Sequence, residues 1–233
     1  MIPADIISYI DLTSLQENDT EEKIATLCEK AKTPFGNVAA VCIYPQFVTT
    51  AWKNLMETPI KIATVANFPS GNDPIEKTTA TIKKAILDGA TEIDVVIPKT
   101  DIGNFITRCK DLCINKTLLK IILETGALSE TQIQDYSEIA IENGADFLKT
   151  STGKIAIGAT ESAATIMLKA IKHSGKPVGL KVSGGIKTVK DAQCYIALFQ
   201  HIMGEGVLSP DRFRIGASSL LEEILLCVSK SQN

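Results

Sequence analysis

Residues 73–98 read DPIEKTTATIKKAILDGATEIDVVIP. The first half has a helical period. Asp73-Pro74 opens it with Pro in the first turn, and Ile75, Ile82 and Ile86 fall on one face. Gly89 closes it, because glycine takes a left-handed helix end without a Cβ penalty. The second half, 92–98, is almost continuously apolar around its acids. That pattern suits a strand covered on both faces, as in parallel sheets. The helix-ending glycine followed by a strand recurs at Gly144-Ala145.

Working outward, the same unit fills the chain. Short β-rich runs occur at 6–12, 38–44, 60–66, 92–98, 118–124, 145–150, 177–182 and 212–216. Between them lie amphipathic helices. Ile24, Leu27, Cys28 and Ala31 share a face behind an Asp19-x-x-Glu22 cap signature. Ser129-x-x-Gln132 is a capping box before Ile133, Tyr136 and Ala140, and Thr188 can cap a helix carrying Ala192, Tyr195, Ile196 and Phe199. Eight strands alternating with helices predict an α/β fold, a (β/α)₈ TIM barrel, as one domain over 1–233. A doubly wound open sheet is the competing architecture, but no Gly-rich dinucleotide fingerprint follows an early strand.

Composition sets outer bounds. The 233 residues are 45% hydrophobic and 22% charged, which excludes a disordered chain. The longest apolar run, 38–44, is far short of the roughly 20 residues that span a bilayer. The N-terminal stretch has no basic segment leading into an apolar one, so a cytoplasmic protein is expected, with its six cysteines reduced. Cys109 and Cys113 share a helix face and read as packing. A net charge of −3 does not favour nucleic acid as a partner. Two histidines, His173 and His201, argue against a His-rich metal site and a Ser-His-Asp engine.

In a barrel the chemistry gathers at the C-terminal strand ends. Those positions are Asp11, Cys42, Asn67, Asp94, Glu124, Lys149, Lys181 and Gly216. Two lysines and an aspartate inside apolar strands are expensive unless they are paired or used. Strand-end lysines reaching solvent, with Asp94 paired to one, is the plain structural alternative. The chemistry suggested is Schiff-base catalysis. A lysine attacks a carbonyl as the neutral amine, and burial beside a second cation favours that form. A nearby carboxylate can move protons. Three loops then look suited to phosphate: Thr150-Ser151-Thr152-Gly153-Lys154, Ser183-Gly184-Gly185, and Gly216-Ala217-Ser218-Ser219 opening the last helix. Turn glycines with a serine cap are the simpler alternative.

These residues carry a family resemblance. KTSTGK at 149–154, GLKVSGGI at 179–186, EIDVVIP at 92–98, VCIYP at 41–45, NFPSGN at 67–72, RIGASSLL at 214–221 and IDLTSL at 10–15 resemble deoxyribose-phosphate aldolases, in that family's order. The resemblance implies a class I aldolase cleaving 2-deoxy-D-ribose 5-phosphate reversibly to D-glyceraldehyde 3-phosphate and acetaldehyde, in deoxyribose catabolism. It implies Lys149 as the Schiff-base lysine, Lys181 as its assistant and Asp94 as a mover of protons. Thr152, Gly153, Lys154, Gly184, Gly185, Gly216, Ser218 and Ser219 map to substrate and phosphate binding, and Asp11 and Cys42 to the pocket. No metal and no cofactor are expected, since the Schiff base is itself the electron sink. The expected partners are the sugar phosphate and acetaldehyde, with no membrane, and a homo-oligomer is left open. Some members carry a C-terminal tyrosine that helps proton transfer. Here the tail 229–233 has none, so a tail-tyrosine relay is not expected. Another Schiff-base barrel acting on sugar phosphates, such as a transaldolase, and a silent sugar-phosphate-binding regulator are the other readings.

Overall fold

Eight parallel strands close into a barrel in the computed structural model, which describes residues 2–113 and 117–230. They are β1 (Ile10–Thr13), β2 (Ala40–Ile43), β3 (Lys61–Ala66), β4 (Glu92–Val96), β5 (Leu118–Ile122), β6 (Phe147–Lys149), β7 (Gly179–Ser183) and β8 (Phe213–Ala217). Each is followed by a helix: α1 (Glu21–Lys30), α2 (Val48–Leu55), α3 (Ile75–Leu87), α4 (Ile102–Lys110), α5 (Glu130–Glu142), α6 (Glu161–Ser174), α7 (Val189–Met203) and α8 (Leu220–Lys230). Neighbours in the chain are neighbours in the sheet, and β8 pairs with β1 to close it. This is the expected (β/α)₈ barrel. Residues 231–233, and with them most of the tail without tyrosine, lie outside the described residues.

Local chemistry explains the helix boundaries. Ser129 accepts from the N–H of Gln132 while Gln132 returns the bond to Ser129, and Thr188 and Asp191 make the same box on α7. Gly89 and Gly144 take φ of +111° and +95°, the left-handed ends that the sequence pattern required. Two details differ from expectation. The cap of α1 is Thr20, because the Asp19 carboxylate is taken by Ser14 and the N–H of Gln16. Residues 6–9 are helical rather than the start of a strand. Pro3 opens a helical turn, and Asp5 accepts from the N–H of Ile2, which keeps β1 from starting before Ile10.

The apolar core divides in two. The main part lies between the outer barrel face and the helices. There Ile10, Ile43, Ile93, Ile121, Leu148, Leu180 and Ile215 meet Ile24, Ala51, Ile82, Ile106, Met167 and Phe199. Cys109 on α4 and Cys113, which lies past the end of that helix at Lys110 rather than on its face, are buried in it as free thiols. A smaller cluster of Leu15, Ala40, Cys42, Ala63 and Val65 is separate from it, with Ala40 and Cys42 on β2 and Ala63 and Val65 on β3. No helix among the described residues is long and apolar enough to cross a membrane.

Candidate active site

The remaining strands bury charge. Asp94 on β4 is fully buried, and its Oδ2 accepts from Lys149 Nζ on β6 and from Lys181 Nζ on β7, each at 2.8 Å. Its Oδ1 accepts from Lys120 Nζ on β5 at 3.0 Å. Lys181 also pairs with Asp11 Oδ2 on β1 at 2.5 Å. Asp11 Oδ1 accepts from Arg214 on β8 at 2.7 Å. Arg214 forks onto Glu92 at 2.9 and 3.2 Å, and Glu92 accepts from Lys120 at 2.5 Å. The path Asp94–Lys181–Asp11–Arg214–Glu92–Lys120 returns to Asp94. It is a closed ring of alternating charge, with Lys149 attached at Asp94.

Asp94, Asp11, Lys181 and Lys120 keep their charge because their neighbours outweigh burial. Desolvation opposes ionisation of Asp94, but Lys120, Lys149 and Lys181 hold its carboxyl well below the usual range. Asp11 is also lowered, against burial, by Lys181, Arg214 and Lys120. Burial opposes the charge of Lys181, yet Asp11 and Asp94 hold it well above the usual lysine range. Lys120 is raised in the same way by Asp94, Glu92 and Asp11. Burial pushes the Cys42 thiol up, which keeps it protonated.

Above the ring opens a cavity of about 180 Å³. Lys149, only 2% exposed, is on its wall. Thr152, Gly153, Lys154, Gly184, Gly185, Gly216, Ser218 and Ser219 line it too, so the three loops named from sequence converge. The loops are held by specific contacts. Glu124, itself left-handed at φ +61°, accepts from both the N–H and the hydroxyl of Thr152. Gly158 lies against Gly184 so closely that a Cβ on it would come within 2.4 Å of the Gly184 carbonyl oxygen. Gly216 leaves room for the stem of Lys181, since a Cβ there would lie 3.1 Å from Lys181 Cε. Lys154 Nζ donates to the carbonyl of Leu15, reaching from the loop after β6 to the loop after β1.

The structure brings Lys149, Lys181 and Asp94 together as the sequence suggested. It corrects two other placements. Asp11 and Cys42 are fully buried and do not line the cavity, and Asp94 and Lys181 are likewise sealed beneath it, so that of the three catalytic candidates Lys149 alone borders it. Asp11 instead holds Lys181 and Arg214, and Cys42 Sγ lies 3.9 Å from Asp94 Oδ2. Asn67 is structural, its side chain bonding the Val96 carbonyl and the N–H of Asp73. Sequence reasoning did not single out Glu92, Lys120 or Arg214. A signal was present: Glu92 is two residues before Asp94 and Arg214 two before Gly216, so each shares its partner's strand face. Lys120 interrupts LLKII just as Lys181 interrupts GLKVS.

At the C-terminal end of a parallel barrel, a buried lysine therefore opens on a cavity lined by glycines, hydroxyl side chains and two further lysines, Lys154 and Lys187. The model of the DeoC/LacD family aldolases matches residues 5–222, and the chain belongs to that family. Among solved structures, a provisionally assigned deoxyribose-phosphate aldolase from Coccidioides immitis is 28% identical, with a TM-score of 0.83 over 94% of this chain and 85% of that one. An aldolase described as QR15 is 26% identical, with a TM-score of 0.83 over 98% of each chain. A tetrameric deoxyribose phosphate aldolase from Aeropyrum pernix shares the fold at 24% identity, with a TM-score of 0.81 over 98% of this chain and 93% of that one.

Proposed function

We propose that the chain is a class I aldolase that cleaves 2-deoxy-D-ribose 5-phosphate to D-glyceraldehyde 3-phosphate and acetaldehyde, reversibly, in cytoplasmic deoxyribose catabolism. One observation carries the reading. Of the four cations gathered on the buried carboxylates, Lys149 alone stands outside the closed ring and borders the cavity. The phosphate-type loops border that same cavity.

The geometry suggests the following course. Neutral Lys149 Nζ adds to the C1 aldehyde, and water leaves to give a protonated imine. The iminium N–H keeps the hydrogen bond to Asp94 Oδ2, so its charge is held where electrons will arrive. A base takes the proton of the C3 hydroxyl, the C2–C3 bond breaks, and its electron pair passes into the imine as an enamine. Protonation at C2 and hydrolysis release acetaldehyde and restore Lys149. Asp94, bonded to both Lys149 and Lys181, steadies the charge on the nitrogen, and these protons pass through water admitted by the cavity. The imine acts as electron sink, and the reaction needs no metal. Gly153, Gly184 and Gly185, at φ of +74°, +87° and +88°, let backbone N–H groups face the phosphate, with the start of α8 adding favourable partial charge.

Incubation with acetaldehyde and borohydride, followed by peptide mapping, tests the reading. A two-carbon adduct fixed on Lys149 is expected. An adduct on Lys181 or Lys120, or none, overturns it.

A further inference from the structure

Arg214 and Glu92 touch no part of the cavity, yet they are among the most heavily built positions in the barrel. The Arg214 guanidinium serves Asp11 and both oxygens of Glu92, and its Nε donates to the Pro210 carbonyl. It also stands 5.8 Å over the ring of Phe147. Gly179 makes room for that ring, since a Cβ there would lie within 2.4 Å of it. Three carboxylates face four cations in this buried cluster. The ring alone balances, three against three, and Lys149 is the cation left outside it, paired only with Asp94.

We infer that the Arg214–Glu92 pair, at the far side of the ring, sets the proton occupancy of Lys149 by fixing this charge balance, and that both are positioning residues for the reaction. The inference rests on Lys149 being the Schiff-base lysine. Besides the ring, the titratable and charged groups facing Lys149 are few. Cys42 comes from β2, and Lys154 and Lys187 stand at the mouth of the cavity. The cluster contributed by β3 is Ala63 and Val65, with no charge. Cys42 stays protonated, and the mouth lysines are unchanged by substitutions in the ring. Removing one ring cation leaves three carboxylates with only three cations, Lys149 included, and Lys149 then keeps its proton. Removing one carboxylate does the reverse.

The test follows the pH dependence of two readouts in the intact protein: the acetaldehyde–borohydride adduct on Lys149 and the rate of sugar-phosphate cleavage. In Arg214→Met the pH at which both rise should move up by about one unit, the effect of a unit charge near a buried site. In Glu92→Gln it should move down by a similar amount. The double variant should return close to the parent profile. Arg214→Lys keeps the charge and loses the fork, so its maximum rate should fall while the profile stays in place. Single variants that both shift the same way, or that leave the profile unmoved, overturn the inference. If Arg214→Met does not fold, the nearly isosteric Glu92→Gln decides alone: an unmoved or upward-shifted profile rejects it. A parent protein with no adduct on Lys149 refutes the proposed function instead.

Discussion

The two halves of the barrel interior are built on opposite principles. On β2 and β3 a cluster of Ala40, Cys42, Ala63 and Val65 under Leu15 is small, apolar and uncharged. On β1 and on β4 to β8 the strands carry seven charged groups within ion-pair distance of one another. The apolar arc keeps water out of the barrel and lowers the local dielectric, and that strengthens every interaction in the charged arc. One half supplies shape and dryness, and the other supplies reactivity. A charged arc of this kind adds little net stability, because desolvation consumes most of its Coulomb gain, but it breaks badly if one partner is removed.

Substitutions can separate the two halves. Lys149→Met should abolish turnover, by at least about 10³-fold, and remove the borohydride adduct, because no other cation of the cluster reaches the cavity. Lys181→Leu takes a cation from the ring, so Lys149 retains its proton. At pH 7 the rate should fall by about 10² to 10³, the effect of two or three units, and recover in part in alkaline buffer. A flat pH profile with full inactivity would leave Lys181 only proton transfer or structure. On the phosphate side, Lys154→Ala should raise KM for the phosphorylated sugar by about tenfold, with cleavage of plain 2-deoxyribose unchanged. Equal losses on both substrates would place Lys154 in the chemistry or the fold.

The smaller effects concern stability. Asp94 and Asp11 are held below their unfolded values, so their contribution is present above about pH 4 and is lost as pH falls through the folded values. Lys181 and Lys120 are held above theirs, so their contribution is present below about pH 10 and is lost as pH rises further. Denaturant midpoints should therefore form a plateau that falls at both ends. In the apolar arc, Val65→Ala should cost about 1–2 kcal/mol at every pH without displacing the activity profile. A displaced profile would show that the two arcs are not independent.

Much of this was legible in the sequence, for a reason specific to barrels. Repetition of one helix–glycine–strand unit gives the architecture without any long-range information, and strand ends are catalytic by topology. Lys149, Lys181 and Asp94 stand out because charge inside an apolar strand is conspicuous. The deeper members were harder to see. Glu92 looks like a strand's polar first residue, and Arg214 looks like a solvent-facing edge, until closure of β8 on β1 turns both inward. Asp11 was visible as a strand-end acid, but sequence gives its strand and not its depth. The first helical turn was missed because 6–12 is apolar enough for a strand, and only the Pro3 start decides against one.

Closure of the ring also bears on the order in which the protein becomes competent. Asp11 and Arg214 are 203 residues apart in the chain, and their ion pair lies across the β1–β8 seam. Until that seam forms, Lys181 lacks one of its two carboxylates and Glu92 lacks its guanidinium. A chain with seven strands assembled would hold an open, unbalanced set of charges around Lys149. Non-local pairings of this separation are slow to form because the loop must close before the contact stabilises it. Recovery of adduct-forming activity during refolding should consequently trail the recovery of helical signal, with the last step of topology and the first turnover arriving together.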